Sequence, residues 1–167
     1  EDLIFYAAVG AVIGGRLGYV FFYGFDHLMA EPAWLFKVWT GGMSFHGGLA
    51  GVAASYFYFA RKHDMKFFQV SDFLVPFCPI GLGLVRLSNF INAELWGKVT
   101  LGTPWAMVFP NAGPLPRHPT QLYEALLEGL VLCLVLLWVG RKPQPAGLLT
   151  GLFALGYGVA RFFIEFY

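Results

Sequence analysis

Hydrophobic positions along this chain gather into five long runs separated by polar stretches. A helix rising about 1.5 Å per residue needs roughly 20 mostly apolar residues to cross a bilayer. The runs Leu3–Tyr23, Gly42–Ala60, Val70–Ile91, Gln121–Val139 and Gly147–Tyr167 each come close to that length. The pattern predicts an all-α, polytopic helical membrane protein with about five transmembrane helices. They form one transmembrane domain over residues 1–167, with a short outer loop region at 92–120. Glycines recur inside the runs, as in "VGAVIGGRLG" and "GLFALGYG". Small residues let membrane helices approach closely where lipid supplies no hydrophobic drive.

Lysine and arginine in the loops set the direction. Loop 61–69 carries Arg61, Lys62 and Lys66, and loop 140–146 carries Arg141 and Lys142. The alternate loops are longer but poorer in basic residues: 24–41 has Lys37, and 92–120 has Lys98 and Arg117. The short basic loops are therefore expected on the cytoplasmic side, and the first, third and fifth runs cross from inside to outside. The remaining basic residues, Arg16, Arg86 and Arg161, lie within these three runs, well past their middle. They are expected to share one depth, in the outer half of the bilayer.

Other polar residues converge on that level. His46 opens the second run in "GGMSFHGGLAG". Asn89, Asn92 and Glu94 follow Arg86 in "GLGLVRLSNFINAELWG". The fourth run enters with "RHPTQLYEALLEG", which brings His118, Gln121, Tyr123, Glu124 and Glu128. Tyr157, Arg161 and Glu165 are spaced i, i+4, i+8 and share a helix face. Ser71 and Asp72 are nearly all that the inner half contains.

A charge in hydrocarbon costs several kcal/mol, about 2.5–3.5 on the most lenient scale, so an intramembrane arginine faces the bundle interior and pairs. Two readings follow. Internal ion pairs with Glu94, Glu124, Glu128 and Glu165 account for single arginines. Three arginines, a histidine and two asparagines at one depth fit a polar chamber open to the outer leaflet better. Guanidinium grips phosphate in a bidentate manner, and phospholipid headgroups are the abundant anions at that level. The His46 imidazole, flanked by glycines, can be approached and suits general-base work near neutral pH. A structural histidine is the other reading. His27 and His63 fall in loops, and His118 precedes a helix-opening Pro119.

Composition agrees with a bilayer protein. The 167 residues are 57% hydrophobic and 13% charged, against about a quarter charged in soluble domains. Mean hydropathy is +0.62. Eighteen Phe, eight Tyr and five Trp supply interfacial aromatics. A net charge of +1 implies no nucleic-acid surface. Cys78 and Cys133 sit in apolar runs and read as buried thiols; no His/Cys cluster has zinc spacing, so no metal is expected. The opening "EDLIFY" and closing "IEFY" read as part of a longer membrane protein.

The motifs "GGRLGYVFFY", "GGMSFHGGLAGV", "FFQVSDF", "RLSNFINAELWG", "RHPTQLYEALLEG" and "GLFALGYGVARFFIEF" stand in the order found in bacterial prolipoprotein diacylglyceryl transferases. The chain resembles that family over essentially its whole length. The resemblance implies a multi-pass enzyme of the bacterial cytoplasmic (inner) membrane, with its active site toward the periplasmic leaflet. It moves the diacylglyceryl group of phosphatidylglycerol to the lipobox cysteine of a prolipoprotein signal peptide, leaving a thioether and glycerol phosphate. No metal or soluble cofactor is implied, and the partners are membrane lipids and the signal peptide, not nucleic acid. The family's histidine motif falls on His46. Its signature arginine, asparagines and glutamate fall on Arg86, Asn89, Asn92 and Glu94. Its last tyrosine, arginine and glutamate fall on Tyr157, Arg161 and Glu165, and Arg16 matches its early arginine.

The resemblance has departures. The signature usually reads Gly-Arg-x-Gly-Asn-Phe, and here Val85 and Ser88 stand for the two glycines, which predicts a tighter pocket. The stretch from Lys98 to Arg117 is shorter than in many members. The family has about seven spans, so the first and last, with a tyrosine on the first, are expected outside this sequence.

In the implied reaction Arg86 and Arg161 hold the phosphate and stabilise the leaving charge. Asn89, Asn92 and Tyr157 orient the headgroup, as Arg16 does at the same level, and Glu94 and Glu165 position the arginines. His46 takes the thiol proton, unless the arginines alone favour the thiolate. A phospholipid or anion transporter and a scaffold held by ion pairs are the other classes. Paired repeats and two-sided polar access would mark the transporter.

Overall fold

Helices stand where the apolar runs predict them. The computed structural model describes residues 2–167, and no β-strand occurs among the described residues. Three helical stretches are long and apolar enough to cross a membrane: Asp2–Tyr23, Phe67–Ile91 and Thr120–Val139. Two further helices occupy the other expected places, Phe45–Lys62 with 18 residues and Leu148–Ile164 with 17. The chain divides into two compact units, one ending at Val70 and the other spanning Ser71–Tyr167.

In the first unit, α1 (Asp2–Tyr23) is followed by a short α2 (Phe25–Ala30) and two 3₁₀ turns, Pro32–Phe36 and Val38–Thr40. Next comes α3 (Phe45–Lys62), whose first turn is capped by Ser44: its hydroxyl accepts from Gly47 N at 3.3 Å. The helices α1 and α3 meet backbone to backbone. A Cβ placed on Gly14 would strike the Gly47 carbonyl, and one on Gly51 would strike that of Gly10. This is the small-residue seam that membrane helices use in place of hydrophobic burial.

The second unit contains the remainder. The stretch Phe67–Ile91 is one span in three pieces: α4 (Phe67–Leu74), a 3₁₀ turn Val75–Phe77, and α5 (Cys78–Ile91). The tightened turn falls where Pro76 and Pro79 remove two helical N–H donors. The span Thr120–Val139 is also composite. Its α6 (Thr120–Glu124) passes into a π-helix, Ala125–Val131, and then α7 (Leu132–Val139). Finally comes α8 (Leu148–Ile164). Val75, Leu132, Leu136 and Leu149 form the buried apolar cluster, with Phe153, Tyr157 and others packed against it. Dispersion between these side chains supplies the cohesion that water expulsion gives a soluble core.

The N-terminus of α8 is capped from a distant helix. Asp72, on α4, accepts from Gly147 N at 2.6 Å, Thr150 N at 2.8 Å and the Thr150 hydroxyl at 2.5 Å. The Ser71 hydroxyl bonds that of Thr150 at 2.8 Å. A carboxylate here satisfies orphan donors and complements the helix dipole. Asp72→Ala is therefore expected to destabilise the protein by about 2–3 kcal/mol, with Asp72→Asn between it and wild type. Thermal unfolding in detergent checks this. A transition for the alanine variant equal to wild type would refute the cap.

Candidate functional site

Residues Ser71–Tyr167 bring two of the three arginines together. α5 carries Arg86 and α8 carries Arg161, and the span between them supplies Glu124 and Glu128. Arg161 Nη1 donates to Glu124 Oε1 and lies 3.7 Å from Glu128 Oε1. Arg86 Nε lies 3.3 Å from Glu124 Oε2 and 3.8 Å from Glu128 Oε2. Both carboxylates are interior: Glu124 is 5% exposed and Glu128 0%. Each therefore meets both guanidiniums, and the four charges balance.

Backbone contact makes the square possible. A Cβ on Gly129 would come 2.8 Å from Gly83 Cα, too close for any other residue. Gly83 lies three residues before Arg86, and Gly129 directly follows Glu128. The close crossing of α5 over the π-helix thus puts guanidinium and carboxylate within reach. π turns inside α-helices are frequent at functional sites, and this one carries the buried Glu128.

Beside this square is a cavity of about 420 Å³. Arg86, Arg161, Glu124 and Glu165 contribute to its wall, with Lys98 and Arg117 on its basic side. Glu165 extends from the end of α8, 3.6 Å from Arg161 Nη2. Lys98 Nζ donates to the carbonyls of Glu165 and Phe166, and Arg117 Nη1 and Nη2 donate to those of Gly97 and Ala112, while Arg117 Nε is buried with no hydrogen-bond partner among the described residues. Arg86 differs. Its carboxylate contacts run through Nε, it donates no hydrogen bond among the described residues, and it lines the cavity. A guanidinium so placed can offer its terminal nitrogens to an oxyanion in a bidentate manner.

The segment after α5 forms the rim. Ala93 and Leu95 have positive φ, 53° and 55°, on either side of Glu94. The left-handed region costs a non-glycine residue about 1–3 kcal/mol unless neighbours hold it there. Gln121 supplies one such tie, donating from Nε2 to Glu94 O at 2.6 Å, and Thr120 Oγ1 donates to Leu95 O at 3.3 Å. Asn89 is buried, and its carbonyl accepts from Glu94 N at 3.0 Å. Asn92 Nδ2 donates to Glu94 Oε1 at 3.4 Å. Tyr157 stacks on Phe153 with centroids 6.2 Å apart. Asn89, Asn92, Glu94 and Tyr157 lie outside the cavity lining, as do Val85 and Ser88, whose side chains are exposed. The two larger residues therefore leave the mouth between Arg86 and Arg161 unobstructed.

Arg16 and His46 belong to the first unit. Arg16 is 3% exposed, and its guanidinium is caged by main-chain carbonyls. Nη2 donates to Trp34 O at 2.6 Å, Nε to Leu35 O at 3.0 Å, and Nη1 to Gly41 O at 2.6 Å and Gly42 O at 3.3 Å. It also stacks over the Trp34 ring at 4.5 Å. Arg16 thereby fixes the turns that lead into α3. His46 stands exposed in the first turn of α3, against the edge of Phe45.

The class is an all-α membrane protein with an arginine–glutamate square beside an open, polar-lined cavity. The chain belongs to the prolipoprotein diacylglyceryl transferase family, whose model matches residues 1–167. It is 59% identical over 166 residues to a phosphatidylglycerol–prolipoprotein diacylglyceryl transferase of Vibrio cholerae, covering 99% of this chain and 61% of that protein. Its identity to the protein of the same name from Vibrio campbellii is 58%, covering 99% and 60%. The one from Pseudoalteromonas atlantica is 57% identical, covering 100% and 59%. The chain thus spans about 60% of the length of the curated relatives it matches.

Proposed function

We propose that this protein transfers the diacylglyceryl group of phosphatidylglycerol to the lipobox cysteine thiol of a prolipoprotein. The relatives' names state both substrates. The observation that carries the reading is the pair Arg86 and Arg161, bridged by Glu124 and lining together a cavity of about 420 Å³. One phosphate ester fills that fork.

The chemistry follows from charge. The cysteine thiolate attacks the glycerol carbon that bears the phosphate. The C–S bond forms as the C–O bond breaks, and its electron pair leaves on the phosphate oxygen. Arg86 and Arg161 stabilise the charge arriving there. Glu165 steadies Arg161. Asn89, Asn92 and Glu94 hold the strained rim in register, and Tyr157 supports α8 through its packing on Phe153. The family resemblance assigns the thiol proton to His46. Arg16 braces the turns that lead into α3. The chain works as one transmembrane domain of the bacterial cytoplasmic membrane, with the cavity toward the periplasmic leaflet, as the basic short loops support.

The test is mass spectrometry of a lipobox-containing signal peptide after incubation with phosphatidylglycerol and the purified membrane protein. The peptide is expected to gain one diacylglyceryl group at its cysteine, and a Cys→Ser peptide to gain none. A transporter or an inert scaffold leaves the peptide mass unchanged, and that result refutes the proposal.

A further inference from the structure

Glu124 and Glu128 look equivalent, since each meets both arginines, but only Glu124 also lines the cavity. Glu128 lies behind it, fully buried. The pair of carboxylates neutralises the pair of guanidiniums, and Lys98 and Arg117 are occupied by carbonyls. A phosphate ester entering this cavity finds Arg86 and Arg161 already paired with carboxylates. It also meets a carboxylate in the place it needs, between Arg86 and Arg161. Two anions cannot share that place in a low-dielectric site.

We infer that Glu124 is an internal anion that occupies the phosphate position while the site is empty and yields it to the lipid. The inference rests on the headgroup reading above. On binding, the Glu124 side chain rotates off the arginines and the phosphate ester takes both forks, while Glu128 remains as their fixed counter-ion. After transfer, the returning carboxylate competes with glycerol phosphate for the same donors and hastens its release. Headgroup affinity is then a difference between two anions for one site, so removing the internal one tightens binding.

The measurement is calorimetric titration of wild type and Glu124→Gln in detergent with short-chain phosphatidylglycerol, and with the corresponding diacylglycerol as the phosphate-free probe. The glutamine variant is expected to bind the phospholipid about tenfold more tightly and the diacylglycerol unchanged. Its thermal transition, lower than wild type without lipid, is expected to rise further on adding phospholipid. Should the glutamine variant not fold, Glu124→Asp, too short to bridge both guanidiniums, is expected to tighten binding to a smaller degree. Equal or weaker phospholipid binding by a folded variant overturns the inference, as does equal tightening for both probes. A wild-type protein that does not distinguish phospholipid from diacylglycerol overturns the headgroup reading itself.

Discussion

Arg86→Ala is expected to lower diacylglyceryl transfer by about a thousandfold, the range found when one donor to a developing oxyanion or transferring phosphoryl group is lost. The reason is the division of labour around this guanidinium. Nε lies 3.3 Å from Glu124 and 3.8 Å from Glu128, which remains as counter-ion when phosphate binds, and the side chain donates no hydrogen bond among the described residues. Arg161, by contrast, uses Nη1 on two glutamates and has Glu165 beside Nη2. Arg86 therefore has the freer donors and is expected to lose more on truncation than Arg161. Arg86→Lys separates charge from geometry. An ammonium keeps the charge but cannot face a carboxylate and grip a phosphate along two edges. Its loss is expected to fall near a hundredfold in kcat, with a smaller change in KM, because the second donor matters most as the C–O bond breaks. Peptide labelling followed by mass spectrometry gives both constants. A near-wild-type rate for Arg86→Ala would remove Arg86 from the mechanism.

Much of this site can be read from single residues in the sequence, because charge in an apolar run is conspicuous. Arg86 and Arg161 stand out at one depth, and they do meet, on α5 and α8. Their counter-ions are harder to choose. Glu94, Glu124, Glu128 and Glu165 all lie at the right level, and periodicity cannot say which of them turns inward. The decision is made by the crossing of Gly83 over Gly129, a tertiary contact that leaves no mark in local pattern. It favours Glu124 and Glu128, while Glu94 faces Asn92 at the rim. The π-helix at 125–131 is equally silent, since it obeys nearly the same apolar pattern as an α-helix. Arg16 holds a similar place along its apolar run but a different environment, because two adjacent glycines, Gly41 and Gly42, expose carbonyls to it. Asp72 reads in the sequence only as an isolated inner-half acid, and its ligands are 75 and 78 residues away.

Glu128→Ala is expected to be the most destabilising single change in the second unit, at about 3–5 kcal/mol. Glu128 is 0% exposed, and neither of its oxygens accepts a hydrogen bond from the described residues. Its stabilisation is therefore Coulombic, toward Arg86 at 3.8 Å and Arg161 at 3.7 Å. Removing it leaves two guanidiniums to one buried carboxylate, and the surplus charge is only partly relieved by the cavity that both arginines line. The cavity left by the side chain adds to the cost, because Gly129 and Gly83 already touch and the helices cannot close further. A double-mutant cycle isolates the electrostatic part. Arg86→Met with Glu128→Leu deletes one charge of each sign and refills the space, so the double variant is expected to be more stable than the sum of the single changes by about 1–3 kcal/mol. Reversible unfolding in mixed micelles gives the four stabilities. Additive losses would mean that Glu128 contributes packing alone, and the arginines would then be held by Glu124 without it.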